Sequence, residues 1–238
     1  VYMQNSGLGN AINPLTSIAH KKVYSIPMLL FIGWRGFPGT KDEPQHLVKG
    51  AITKKLLNLL KIKYLILKNK NDLKKIDELI KYSKNQNVPV AILVKNKSLE
   101  DPKYKVKYLI NRKYFKREYF LEKLLFNIPK KSYLISTTGY TSRELYQIKK
   151  NRKINKGKDF YMVGGMGHSS SVSLGASLSS KKRVICLDGD GSILMHFGAL
   201  HTASNYKKKN LKIILLNNNS HESVGGQRTY SEKINFDK

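Results

Sequence analysis

A rhythm in the sequence constrains the fold more than any other feature. Short apolar runs recur along the chain, and stretches with helical spacing separate most of them. The runs at residues 1–4, 26–32, 64–67, 88–94, 133–136, 160–163, 183–187 and 211–216 predict strands. Helical patterns lie near residues 10–19, 45–60, 72–85, 142–150, 169–179 and 194–206. Continuous apolar strands separated by helices belong to parallel sheets covered on both faces. The rhythm breaks between Lys95 and Lys131, a stretch rich in Lys and Tyr with one helical patch at 117–126. The expected architecture is therefore α/β, with two doubly wound parallel-sheet units at 1–95 and 132–238 and a linker over 96–131. Val1 opens directly into a strand and Asp237-Lys238 closes without a final helix. Both units are accordingly expected to be truncated.

Composition excludes several classes. No apolar run approaches the length of a membrane span, and the first ten residues lack the basic start and apolar stretch of a signal peptide. The formal net charge is +28, which alone would point to nucleic acid. However, only seven of the 44 basic residues are Arg, and the Lys residues are spread along the chain. Base readers use Arg forks and aromatic stacks in a definite module, and none is visible. The charge reads as a solvated surface, with neither a nucleic-acid nor a membrane partner. The single cysteine, Cys186, lies within an apolar run and reads as a buried, inert thiol, which fits a reducing cytoplasm.

The strongest chemical signal is Gly189-Asp190-Gly191-Ser192, placed after a buried strand and before a helix. Ligands of such sheets sit beyond the carboxyl ends of the strands. Glycines let backbone N–H groups approach a phosphate, whereas Asp190 would repel one unless Mg²⁺ bridged the two. The next strand ends in Asn217-Asn218-Asn219, with Asn218 lying 28 positions after Asp190, room for one helix and a return strand. Asp190, Asn218 and a backbone carbonyl just beyond can therefore converge on one hard cation. Taken alone, Gly-Asp-Gly is equally a helix cap, and the asparagines equally a turn; the spacing between them favours the metal–diphosphate reading.

This pair resembles the thiamine-diphosphate motif, in which Gly-Asp-Gly is followed about two dozen residues later by Asn-Asn. Gly164-Gly165-Met166-Gly167-His168 is similar to the glycine-rich helix start that precedes it. Further segments resemble the phosphonopyruvate decarboxylases: Val1 to Asn10, Gly33-Trp34-Arg35-Gly36, Lys41 to His46, Thr137 to Leu145 and His221 to Gln227. One departure is Asn217-Asn218-Asn219, where Asp-Asn-Gly is expected, although Asn tolerates the left-handed backbone for which Gly is suited.

The resemblance implies a pyrimidine-binding and a diphosphate-binding unit, with thiamine diphosphate and Mg²⁺ as cofactors. It implies cofactor contacts from Gly165, Met166, Gly167, Gly189, Asp190, Gly191, Ser192 and Asn218, with Met166 propping the bent cofactor unless it is a plain core residue. Metal ligands would be Asp190 and Asn218 through their side chains and Ser220 through its carbonyl. Gln45, His46 and His221 are the polar candidates for proton transfer, and Arg35, Lys41 and Arg228 are possible partners for a phosphonate. The implied reaction is decarboxylation of a 2-oxo acid, phosphonopyruvate first, in a homo-oligomer whose site lies between domains of partner subunits. The activating Glu is expected upstream of Val1, so this stretch alone is expected to be inactive; Glu43 does not match its position. A sulfopyruvate decarboxylase, or a basic binding protein with a vestigial cofactor site, are the alternatives.

Overall fold

A computed structural model describes residues 1–99 and 115–236. The chain divides into two units, Val1–Tyr104 and Lys105–Lys238. Each is built on a four-stranded, wholly parallel sheet, as the alternation of apolar runs and helices requires.

In the first unit, β1 (Tyr2–Gln4), β2 (Met28–Gly33), β3 (Lys63–Leu67) and β4 (Pro89–Val94) lie in the order β1-β2-β4-β3. Side chains alternate across the sheet. Leu30, Ile32, Ala91 and Leu93 pack with Leu8, Leu15 and Leu57, which come from the segment after β1, from α1 (Ile12–Thr16) and from α2 (Pro44–Leu59). Val90 and Ile92, with Leu29 and Phe31, pack on the opposite side against Leu79 and Ile76 of α3 (Leu73–Gln86). The helix expected over 10–19 is only the five residues of α1. Pro14 lies within it, lacks a backbone donor and disfavours helical backbone in the residue before it.

The second unit holds β5 (Tyr133–Ser136), β6 (Lys158–Tyr161), β7 (Val184–Gly189) and β8 (Leu211–Leu216) in the order β6-β5-β7-β8. The chain moves from β5 outward to β6, then crosses back past β5 to β7. Its crossovers therefore lie on opposite faces. α4 (Arg117–Asn127) and α5 (Tyr140–Asn151) cover one face with Leu121, Leu125, Leu145 and Ile148 against Ile185 and Leu187. α6 (Ser169–Leu178) covers the other and packs with α8 (Gly198–Asn205). The reversal between β5 and β7 opens a crevice at their carboxyl ends.

Two expectations are corrected here. The linker over 96–131 is shorter than expected: α4 lies inside it, and its Leu121 and Leu125 are wholly buried in the second core. Their spacing of four puts them on one helical face. Residues 100–114 of that linker lie outside the described residues. The helix expected over 194–206 is instead two, α7 (Asp190–Met195) and α8, because His196 leaves helical backbone (φ −140°, ψ 50°). Among the described residues, no helix is long and apolar enough to cross a membrane. Cys186 is wholly buried, and burial pushes its thiol up to about 12.

Candidate active site

In the second unit, the crevice between β5 and β7 is bounded by three chain segments that follow strands. β7 delivers Gly189 and the first turn of α7, β5 delivers Thr137 and Thr138, and β8 delivers residues 217–223. Gly189 pairs in register with Leu216, so Asp190 and Asn217 emerge from adjacent strands at the same level. Asp190 is buried, at 2% exposure, and its Oδ2 accepts hydrogen bonds from the hydroxyls of Thr229 and Ser231, the latter at 2.9 Å. Ser231 Oγ also lies 2.9 Å from Asn217 Oδ1 and 2.7 Å from Asn219 Oδ1. One hydroxyl proton faces three acceptors, so the cluster is richer in oxygen lone pairs than in protons. The hydroxyl of Ser220 is buried and has no hydrogen-bond partner among the described residues.

Ser192 ties the walls of the crevice together. It is 1% exposed, and its Oγ accepts from Thr137 Oγ1 at 2.8 Å and from the Gly167 N–H at 2.9 Å. Gly167 has φ +91°, a backbone conformation that side chains rarely adopt. Half-buried Met166 lines the same crevice. His221 lies against Gly191: a Cβ on Gly191 would fall 2.4 Å from the imidazole Cε1. A Cβ on Gly189 would meet nothing within 4 Å, so that backbone has open space beside it.

The residues singled out in the sequence are thus disposed as follows. Met166, Gly189, Asp190, Gly191, Ser192, Asn218, Ser220 and His221 all line this crevice. Gly165 and Gly167 flank Met166 in sequence but do not line the crevice; Gly167 meets it through its N–H to Ser192. The Asn218 Oδ1 accepts from the Ser220 N–H at 3.2 Å and its Nδ2 donates to Glu222 at 3.3 Å. The amide oxygens beside Ser231 belong to Asn217 and Asn219. Asn219 takes the left-handed backbone at φ 57° that the departure from Gly demands.

Arg117 was missed in the sequence. It lines the crevice and makes a two-pronged pair with Glu144, at 2.7 and 2.6 Å, and a second pair with Glu222 at 3.2 Å. The Glu144 hydrogen bonds, above all, raise its pKa further. The irregular composition of residues 95–131 hid it; the signal was the helical patch that it opens. The crevice encloses only about 50 Å³, far less than the roughly 300–1,000 Å³ of pockets that enclose a small molecule. It can grip a few atoms and serve as one wall of a larger site.

In the first unit, a cavity of about 650 Å³ opens at the carboxyl ends of β1, β2 and β4. Arg35, Lys41, Lys95 and Lys97 line it, with Trp34 and Phe37. Asn5, 6% exposed, clamps Arg35 by its backbone: Nδ2 donates to the Arg35 carbonyl at 2.9 Å and Oδ1 accepts from its N–H at 3.2 Å. The Arg35 side chain is held by Asp42, at 3.0 and 3.2 Å, and Asp42 Oδ1 also lies 2.9 Å from His46 Nδ1. The Arg35 guanidinium first, then the Glu43 N–H and His46, hold the Asp42 carboxyl well below its ordinary value despite partial burial. Gln45 sits beside His46 in the first turn of α2, with its Oε1 buried and unpartnered among the described residues. Neither Gln45 nor His46 lines this cavity. Arg228 belongs to neither site's lining; it pairs with Glu232 and stacks on Tyr230.

Residues 137–237 match the family described as thiamine pyrophosphate enzyme, C-terminal TPP binding domain. The whole chain finds relatives as well. It is 36% identical to phosphonopyruvate decarboxylase of Streptomyces hygroscopicus over 98% of its own length, covering 60% of that protein. The chain is thus similar to the phosphonopyruvate decarboxylases over nearly its whole length. The enzyme of that name from Streptomyces viridochromogenes is also 36% identical over 98% of the chain, which covers 61% of it. Sulfopyruvate decarboxylase subunit beta of Methanocaldococcus jannaschii is 38% identical over 50% of the chain, which covers 61% of that subunit. The chain thus spans about 60% of the length of the phosphonopyruvate decarboxylases it matches.

Proposed function

We propose that the protein containing this chain is a thiamine-diphosphate- and Mg²⁺-dependent lyase that converts phosphonopyruvate to phosphonoacetaldehyde and CO₂, a step of phosphonate biosynthesis. The observation that carries the choice of substrate is the extent of similarity. Likeness to phosphonopyruvate decarboxylases runs through 98% of the chain in a single polypeptide, whereas the sulfopyruvate decarboxylase subunits are matched separately, beta over 50% and alpha over 39% of the chain.

The oxygen-rich cluster supports the metal. Among the described residues, no group of three His, Cys, Asp or Glu side chains gathers to hold a metal. Mg²⁺ needs only one or two carboxylates when phosphates and waters supply the other ligands. Asp190 would provide that carboxylate, Asn218 an amide oxygen once turned from the Ser220 N–H, and Ser220 a carbonyl. Open space beside Gly189 leaves its backbone accessible to a diphosphate, and Met166 would support the bound cofactor. When bound, thiamine diphosphate supplies a nucleophilic carbon and an electron sink for loss of CO₂.

The chain's own groups would handle the substrate and protons. Arg35 and Lys41 are placed to bind a phosphonate in the first unit's cavity, where charge-assisted hydrogen bonds are strong. The Asp42 carboxylate favours a hydrogen on His46 Nδ1, which leaves Nε2 to exchange a proton. Gln45 and His221 are the further polar candidates. A site completed by a second copy, in a cytoplasmic homo-oligomer, fits the small volume of the second unit's crevice.

The test is calorimetry of thiamine diphosphate on the full-length protein with and without Mg²⁺, followed by turnover of phosphonopyruvate and sulfopyruvate. Mg²⁺-dependent binding that Asp190→Ala abolishes, with faster phosphonopyruvate turnover, is expected. Faster sulfopyruvate turnover would reassign the substrate. Salt-sensitive nucleic-acid binding without cofactor binding would leave only a vestigial site.

A further inference from the structure

We infer that the opposite, amino-terminal end of the second sheet carries a binding site for a small molecule bearing two or more phosphoryl groups. Three basic segments that are remote in sequence each run directly into a strand: Lys130-Lys131 before β5, Lys181-Lys182-Arg183 before β7, and Lys207-Lys208-Lys209 before β8. β5, β7 and β8 are neighbours, and Tyr133, Val184 and Leu211 start them in register. Parallel pairing therefore delivers all three segments to one place.

They line an open cavity of about 460 Å³ with Lys131, Lys181, Lys182, Arg183 and Lys209, together with Pro129, Ser132 and Asn210. That volume falls in the range of small-ligand sites, roughly 300–1,000 Å³. Five of the eight lining residues are cationic, against 44 of 238 in the chain, so the basic surface is concentrated here. No acidic residue lines the cavity, and none of its five cations forms an ion pair among the described residues.

The frame beneath the cations is fixed. Asn210 Nδ2 lies within hydrogen-bond reach of the carbonyls of Ser177, Ser180 and Lys182, at 3.2, 2.7 and 3.0 Å. The Tyr133 N–H donates to the Arg183 carbonyl, and the Val184 N–H to that of Asn210, each at 2.8 Å. A second observation points to a ligand. Ser132 has no exposed surface, and its hydroxyl has no hydrogen-bond partner among the described residues. A buried hydroxyl without a partner costs stability, and a ligand oxygen would supply what it lacks. Clustered Lys and Arg select phosphoryl groups over single carboxylates by charge density. The finite cavity, with no aromatic residue in its lining, favours a small polyphosphate over a nucleic-acid strand.

The experiment is titration calorimetry on the full-length protein at about 0.15 M salt, with EDTA present to suppress metal-dependent diphosphate binding at the other end. Inorganic pyrophosphate and a nucleoside triphosphate are the probes. One saturable site per chain is expected. Charge reversal in Arg183→Glu/Lys209→Glu should weaken it by about tenfold or more, because charge-assisted contacts are lost. The neutral pair Lys181→Gln/Lys209→Gln gives the same direction if charge reversal impairs folding. Ser132→Ala should weaken binding about threefold to tenfold without lowering Tm, since its hydroxyl has no partner to lose. Equal affinity for both probes would mean that phosphates alone are recognised, whereas tighter triphosphate binding would add the nucleoside; both uphold the site. Absence of saturable binding, indifference to these variants, or binding of an oligonucleotide where pyrophosphate fails would overturn it.

Discussion

At Gly191 there is no room for a side chain, because the ring of His221 occupies the space a Cβ would need. Imidazole is rigid and cannot fold away, so the conflict must move either the ring or the backbone. Gly191→Ala should destabilise the second unit by about 1–3 kcal/mol, the usual cost of overpacking. Adding His221→Gly should recover most of that loss in urea denaturation; a loss that persists would place the strain elsewhere. A second prediction concerns Asp42. Its pKa is depressed in the folded protein, so its contribution to stability is present above the ordinary carboxylate value of 3.8 and is lost as pH falls below it. Tm should therefore drop more steeply below about pH 4 in the native protein than in Asp42→Asn, as thermal scans between neutral and acid pH can show. Identical profiles would mean that the Arg35–Asp42–His46 chain contributes nothing. At this scale the sequence was legible where residue type and chain position jointly restrict chemistry, as at Asp190 and Gly191. It was not legible for Thr229 and Ser231, ordinary polar residues that a loop returns to the carboxylate.

At the scale of elements, the alternation of apolar runs and helices identified all eight strands found among the described residues, with ends that shift by a residue or two. The shift at β6, expected over 160–163 and found at Lys158–Tyr161, has a simple cause. Only alternate residues there are partly covered, so the polar Lys158 and Asp159 concealed its start. α4 was legible as the helical patch at 117–126, but its place in the second core was obscured, because its apolar face is flanked by charged residues in a stretch that otherwise reads as irregular. Its burial makes a quantitative prediction. Leu121→Ala should cost about 2–5 kcal/mol, as for other buried leucines cut to alanine. A side chain in a solvated linker would change stability by less than about 0.5 kcal/mol, so urea denaturation monitored in the second unit separates the two. The strand order itself was not legible, since periodicity tells which faces are buried and not which strands are neighbours.

On the scale of the whole molecule, a net charge of +28 must be held within a folded surface. Like charges repel over the Debye length, about 30 Å at 0.01 M salt and about 8 Å at 0.15 M. Tm should therefore rise between those two salt concentrations; a flat or falling Tm would show that local pairs such as Arg117 with Glu144 and Glu222 already neutralise the repulsion. The hydroxyl of Ser192 carries a consequence of a different kind. It is buried and joins the turn after β5, the turn before α6 and the body of α7 through two hydrogen bonds. Water cannot reach the Gly167 amide until that junction parts, and its parting also frees Thr137. The floor of the crevice should consequently open to solvent exchange as a single cooperative unit rather than as three loops fraying independently, with the Gly167 amide exchanging only when segments as far as 55 residues apart in the chain part together.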